Sequence, residues 1–323
     1  MNSDKIQEIS VLSNYKYNSE ICKRAKLDIG TFCNYKCYFC YYKHSLNDKT
    51  SYDEVIKRFN KLYELGCRDF DISGGEPSIF PKLENLISHI KSLNCNVSML
   101  SNGSNLSFER LKKLKSLGLN EILFSLHSTE ELHNKMVGFN GFKKIIKAIK
   151  DAKSLGYLVR INSVITPLNY KEVDNEYLNL IKELNPSQVN FLPLNYFGDS
   201  KDLESVKYNE LLNPIKKFID SISDIEINVR YVPFCFMQGY EKHVKNYLQH
   251  IFDLKDWSLC YYRYWENTFD NMLKVVKDQR ITIYKKDENC LKCKYFTICD
   301  GIEKQNYLNN KLTSIKGELV KEI

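Results

Sequence analysis

Two stretches decide how this chain folds: Thr31-Phe32-Cys33-Asn34-Tyr35-Lys36-Cys37-Tyr38-Phe39-Cys40-Tyr41 and, further on, Asp71-Ile72-Ser73-Gly74-Gly75-Glu76-Pro77. The first has the spacing C-x3-C-x2-C. Three thiolates on one tight loop can hold three corners of an iron–sulfur cube. No fourth cysteine follows nearby, so one iron keeps an open position, as in a catalytic metal site. A zinc loop is the alternative, with His44 as a fourth donor. The second stretch ends a strand. Paired glycines there let a ligand approach the backbone closely, and Glu76 offers an acceptor to an ammonium group. Alone it would be an ordinary strand-to-helix turn. Following a thiol loop on the preceding strand, it reads as part of a ligand site.

Working outward, apolar periodicity alternates between strand and helix. Strands are predicted over 25–30, 68–73, 96–100, 121–126, 157–165 and 188–194. Helices are predicted over 51–65, 83–93, 106–117, 142–155 and 171–184, several closed by glycine. This order predicts parallel strands with crossover helices. After Leu194 the pattern changes: a helix near 208–221, a strand near 226–231, an aromatic-rich stretch from Trp257 to Trp265, then more cysteines.

In motif order and separation, residues 26–195 resemble the radical S-adenosylmethionine (SAM) superfamily. The resemblance implies an α/β fold, a partial (β/α)6 barrel with its site at the carboxyl ends of the strands. Cys33, Cys37 and Cys40 would hold a [4Fe–4S] cluster whose open iron chelates SAM. Phe39 would flank the adenine, and Gly74, Gly75 and Glu76 would contact the amino group. Later strand ends add Ser101 and Asn102, Ser125, Arg160 and Leu192 as cofactor-binding candidates. His127 is the candidate catalytic residue, for proton transfer or substrate contact; its bland reading is a hydrogen-bonded structural histidine. An electron passed to the SAM sulfonium would give methionine and a 5′-deoxyadenosyl radical able to abstract hydrogen from a substrate. A flavodoxin- or ferredoxin-like protein would supply that electron.

The second cysteine group, Cys290, Cys293 and Cys299, has the spacing C-x2-C-x5-C. It resembles part of the auxiliary-cluster modules called SPASM and Twitch. The position four residues past the third cysteine, a cysteine in the full SPASM signature, is Glu303, so a two-cluster module is incomplete. The expectation is one further iron–sulfur cluster with Cys235 or Cys260 as fourth ligand, Cys235 preferred. Zinc on the same four thiolates is the alternative. The division expected is an N-terminal extension over 1–25, the radical SAM core over 26–230 and a small cysteine-rich, metal-binding appendage over 231–323.

The 323 residues are 43% hydrophobic, enough for one large core with an appendage. The 47 basic and 40 acidic residues are dispersed, giving +7 without a basic stripe, which argues against a nucleic-acid partner. The N-terminus lacks a signal-peptide pattern and no transmembrane run occurs, so a cytoplasmic protein is expected. Eleven cysteines in a reducing compartment then read as metal ligands, with Cys22, Cys67 and Cys95 as unpartnered thiols. The function expected is hydrogen abstraction by a peptide or protein maturase or a related oxidoreductase. A dehydrogenase or epimerase of a small sugar or polyol is the alternative enzyme. A non-catalytic metal-binding regulator on the same fold is the alternative of another class.

Overall fold

Charged and aliphatic residues alternate along Arg24-Ala25-Lys26-Leu27-Asp28, and this alternation sets the architecture. In the computed structural model, which describes residues 2–17, 24–40, 42–43, 50–64, 66–194, 196, 203–245 and 283–320, Arg24–Asp28 is strand β1. Ala25 and Leu27 are fully buried on its outer face. Helix α1 (Ser3–Tyr17) precedes it. The chain continues through α2 (Tyr52–Glu64), β2 (Asp69–Ser73), α3 (Leu83–Ser92), β3 (Asn96–Ser101), α4 (Phe108–Ser116), β4 (Glu121–Ser125), α5 (Glu130–Val137), α6 (Phe142–Ser154), β5 (Leu158–Ile165), α7 (Glu176–Leu184), β6 (Gln188–Pro193), α8 (Tyr208–Asp220) and β7 (Glu226–Arg230).

All strands of this sheet are parallel and pair in sequence order, ending with the short β8 (Val244–Lys245). Side chains from β1 and from the residue after β7 line one cavity, so the sheet curls, yet β1 and β8 do not pair. The result is a half-barrel of eight strands rather than the expected six. The first six match the sequence reading; β7 and β8 extend the same sheet. Helices cover its outer face through apolar stripes such as Val55, Phe59 and Leu62 of α2 and Ile145, Ala148, Ile149 and Ala152 of α6. Helix α5 was not anticipated. Its sequence carried the signals of a short helix: Thr129 at the N-cap position, acidic Glu130 and Glu131 in the first turn, and Gly138 in the left-handed conformation that ends it.

The inward face of the strands' amino-terminal half is closed by charge. Arg24 holds Asp71 through two hydrogen bonds of 2.7 and 2.9 Å and reaches Glu121 on β4 at 3.1 Å. Glu121 also pairs with Arg160 of β5, whose guanidinium donates to Gln188 of β6 at 3.2 Å. This belt floors the barrel, leaving the cavity at the carboxyl ends.

Beyond the sheet, β9 (Tyr284–Lys285) and β10 (Ile302–Glu303) form a small antiparallel pair beside the second cysteine group. Helix α1 packs there: Gln7 donates to the carbonyl of Asp300 at 2.7 Å and Ser10 to that of Phe296. Among the described residues no helix is long and apolar enough to cross a membrane. Cys22, His44, Cys260 and the stretch from Trp257 to Trp265 lie outside the described residues.

Candidate active site and cysteine centres

Directly after β1 the chain turns through Gly30, held at a φ of 101° by its own amide donating to Asp28 Oδ1 at 2.8 Å. The cysteine loop follows and is laced to three neighbours. The Gly75 amide donates to the Gly30 carbonyl (2.8 Å), and the Glu76 amide to that of Phe32 (2.9 Å). Lys36 and Tyr38 donate to the carbonyls of Val137 and Met136 at the end of α5, each at 3.1 Å. Asn34 bridges to the turn after β3, accepting from Asn102 and donating to Ser104. The glycine pair is therefore required first by the loop itself. A Cβ on Gly74 would sit 2.2 Å from the Gly30 carbonyl oxygen, and one on Gly75 would sit 2.0 Å from that of Phe32.

Glu76 is 2% exposed. Its carboxylate accepts from the Ser78 amide (2.9 Å), the Ser101 hydroxyl (2.7 Å) and the Asn102 amide (2.6 Å), clamping the ends of β2 and β3 together. Burial pushes its pKa up, opposed by these hydrogen bonds.

The three loop thiols open onto one cavity of about 300 Å³. Its wall also carries Phe39, Gly74, Gly75, Glu76, Ser101, Asn102, Ser125, His127 and Leu192, so almost the whole predicted set is brought together. Arg160 is the correction. It shares a strand face with Asn162, which does line the cavity, but lies one pleat deeper, in the belt with Glu121. Lys26 and Tyr231 line the cavity without having been singled out. The signal for Lys26 was the charged alternation of β1. Tyr231 gave none, since its position rests on β7 curling round to face β1.

His127 is almost wholly buried. Its Nδ1 accepts from the Val164 amide at 3.2 Å, which places the ring proton on Nε2. Burial, with His133 second, pulls its pKa well below the ordinary value, so the ring is neutral at pH 7. It can thus donate, or shuttle a proton as a neutral acid, but cannot serve as a standing cation.

Burial pushes the Cys33 thiol up to about 11 and the Cys37 thiol higher still; Cys33 Sγ accepts the Tyr35 amide at 3.4 Å. Thiols so placed ionise with a bound metal group rather than with solvent. Among the described residues no three His, Cys, Asp or Glu side chains gather tightly enough to grip a single metal ion. A cubane, whose ligating sulfurs stand farther apart than those around one ion, makes no such demand. Three thiols on the wall of one cavity, mostly apolar but also carrying Glu76, Ser101 and Asn102, fit that group.

The second cysteine group is assembled across the tail. Cys235, in the turn after β7, lines one small pocket together with Cys290, Cys293 and Cys299. Burial pushes Cys290 and Cys299 each to about 12 and raises Cys235. Lys286 sits in the same pocket wall, its ammonium bonded to Ser10 and to the Phe296 carbonyl. Cys67 and Cys95 are buried in the main core, and all nine described cysteines are free of disulfides.

A half-barrel of parallel strands whose first connection carries three thiols, facing a Gly-Gly-Glu turn, defines a class, and the comparisons agree with it. Residues 27–184, just under half of the chain, match the radical SAM superfamily model. A protein of Sulfurisphaera tokodaii named "Probable GTP 3',8-cyclase" is 30% identical over 205 residues, covering 62% of this chain and 64% of that protein. Its namesake from Sulfolobus acidocaldarius is 31% identical over 176 residues, 53% of this chain and 55% of that one. The chain thus spans less than two thirds of these relatives' length. Among solved structures, Streptococcus suis SuiB bound to its precursor peptide SuiA aligns with a TM-score of 0.66 at 15% identity, covering 93% of this chain and 76% of that one. SuiB bound to S-adenosylmethionine aligns at 0.64. At such identity the likeness is one of fold.

Proposed function

We propose that this chain cleaves SAM reductively at a [4Fe–4S] cluster held by Cys33, Cys37 and Cys40, and directs the resulting radical at a peptide or protein substrate. The observation that carries the reading is that these thiols, the Gly74-Gly75-Glu76 turn and the ends of β3 to β6 line a single cavity. When bound, the cluster supplies one electron to the SAM sulfonium, releasing methionine and leaving a 5′-deoxyadenosyl radical. The chain's own part is placement. Glu76, with Ser101 and Asn102 fixed on it, presents the polar wall where an amino group would sit. Phe39 offers an aromatic face for adenine. His127 supplies a neutral N–H, and Asn162 and Lys26 give a polar floor for the reacting part of a substrate.

The alignment with SuiB, a protein seen with a precursor peptide, runs through the tail as well as the barrel, which favours a peptide substrate. A second reading, a purine nucleotide, is favoured by the 30% identity to the proteins named for GTP cyclisation. The pocket of Cys235, Cys290, Cys293 and Cys299 supports a second iron–sulfur cluster with Cys235 as its fourth ligand. Four protein thiolates would close that site, leaving an electron conduit or a structural staple.

The test is anaerobic reconstitution followed by measurement of 5′-deoxyadenosine under strong reductant. Release by the wild type and none by the Cys33/Cys37/Cys40→Ala triple variant is expected. Equal iron in the two proteins would overturn the ligand assignment. Stimulation of deoxyadenosine release by GTP, and not by peptides, would transfer the substrate reading to the nucleotide.

A further inference from the structure

Tyr35 of the cysteine loop lines the cavity and also packs outward against Phe139, which does not line it. Tyr35 lies between Cys33 and Cys37, and its amide donates to Cys33 Sγ. Its ring stacks on Phe139, centroids 4.7 Å apart at 25°. Gly141 leaves room for the Tyr35 hydroxyl, which a Cβ would approach to 2.1 Å. Tyr35 is 2% exposed, whereas Phe139 is 39% exposed, between α5 and α6. A large aromatic ring is thus held at the surface at one end and against the thiol loop at the other.

The ring stands in basic surroundings. Lys144 lies over it, its ammonium 5.3 Å from the centroid. Lys36, Lys135 and Lys143 are exposed on the adjoining loop and helices, and the Lys36 carbonyl lies against Gly138. The nearby acids on α5 are Glu130 and Glu131. Lys143 touches Glu130 at 3.5 Å through a side chain 84% exposed, a weak, solvated pair. An exposed apolar ring within a cationic rim, away from the cavity, has the anatomy of a docking face for an acidic protein.

We propose that this face, centred on Phe139 and rimmed by Lys36, Lys135, Lys143 and Lys144, docks an acidic one-electron carrier protein. The inference rests on the cluster reading above. The carrier is oxidised by one electron and the cluster reduced by one. The electron enters through Phe139 and Tyr35 on the Cys33 side, so the carrier docks at Phe139, which is not part of the cavity wall. The basic rim speeds encounter by electrostatic steering, which salt weakens.

The experiment mixes reconstituted full-length protein with flavodoxin hydroquinone and follows cluster reduction by stopped flow. Photoreduction with deazaflavin provides a carrier-independent measure of the same cluster. For Lys143→Glu/Lys144→Glu, the second-order rate with flavodoxin is expected to fall at least about tenfold at low salt, the gap closing at high salt. Deazaflavin-driven reduction and SAM cleavage stay at wild-type levels. The same reversal at Lys182 and Lys242, exposed on α7 and on the turn before β8, is expected to leave the flavodoxin rate unchanged. Phe139→Leu keeps an apolar contact but is expected to slow the rate at saturating carrier. Equal flavodoxin rates for wild type and Lys143→Glu/Lys144→Glu at low salt would overturn the docking face alone. No reducible cluster by either route would overturn it together with the reading on which it rests.

Discussion

The Phe39 ring meets the imidazole of His127 edge to face, centroids 4.9 Å apart at 83°. This contact joins the cysteine loop to the end of β4 and fixes the ring expected to flank adenine. His127 is itself held by the Val164 amide, while its backbone carbonyl accepts from Asn169 at 2.6 Å. The position of Phe39 therefore depends on a histidine locked in one tautomer.

That lock has a pH signature. Burial pulls His127 well below the ordinary histidine range and His133 down to about 4. The unfolded chain binds these protons below about pH 6.5 and the folded chain resists them, so stability rises with pH across that window and is lost as pH falls through it. Glu303 contributes in the opposite direction, so the histidine part is read as a difference. Relative to the wild type, His133→Phe is expected to gain stability at about pH 5 over about pH 7.5 in denaturant unfolding. An unchanged slope in the variant would remove His133 from this account.

The glycine pair yields a sharper expectation than ligand approach alone. Because a Gly75 Cβ would meet the Phe32 carbonyl oxygen, Gly75→Ala must displace the cysteine loop before any cofactor arrives. The variant is expected to lose iron at the N-terminal site, retain it at the C-terminal one, and lose about 1–3 kcal/mol of stability. Full iron with weakened SAM binding would instead show that the ligand is what the Cβ obstructs.

Much of this was legible in the chain. The thiol spacing, the Gly-Gly-Glu turn and six of the strands follow from local pattern, because each rests on contacts close in sequence or on a period that sequence displays. Arg160 shows where pattern stops. Strand alternation places it inside the barrel but not at which depth; depth is set by the register of β4 with β5, which brings Leu123, not Ser125, opposite it. Cys235 shows the reverse: nothing local in its sequence joins it to the other three thiols, and the tail's folding brings it into one pocket with them, while Cys260 lies outside the described residues.

Arg160 lies in the belt and is expected to matter for folding rather than for SAM. Its guanidinium holds Glu121, whose other partner is Arg24, and its side chain is only 7% exposed. Arg160→Met leaves carboxylate charge under-compensated in a mostly buried belt, at a cost of about 3–5 kcal/mol. The KM for SAM in the folded fraction should be unchanged. A raised KM with wild-type stability would return Arg160 to the cofactor set.

On the proposed second cluster, Cys235→Ala is expected to remove the metal of the C-terminal site, and Cys95→Ala, in the main core, to leave both sites loaded. Metal analysis of each variant checks this. About one zinc and no iron at the C-terminal site would replace the cluster there without touching the N-terminal assignment, since the two thiol sets line separate pockets.

Glu303, where a further cysteine would stand in the full auxiliary signature, gives the last expectation. Its carboxyl accepts the Tyr196 amide at 2.6 Å, and Asn306 donates to its second oxygen at 3.4 Å. Burial raises its pKa to about 8, partly opposed by the Tyr196 hydrogen bond. In the unfolded chain a glutamate loses its proton near pH 4.3. Between that value and 8 the folded state holds the extra proton, so stability declines as pH rises through the window and levels off above it. Glu303→Gln keeps an oxygen for the Tyr196 amide and cannot ionise. Its stability is expected to match the wild type near about pH 4.5 and to exceed it increasingly toward pH 8, read from denaturant midpoints at fixed iron content. A variant that tracks the wild type across the whole range would mean that the carboxyl ionises normally.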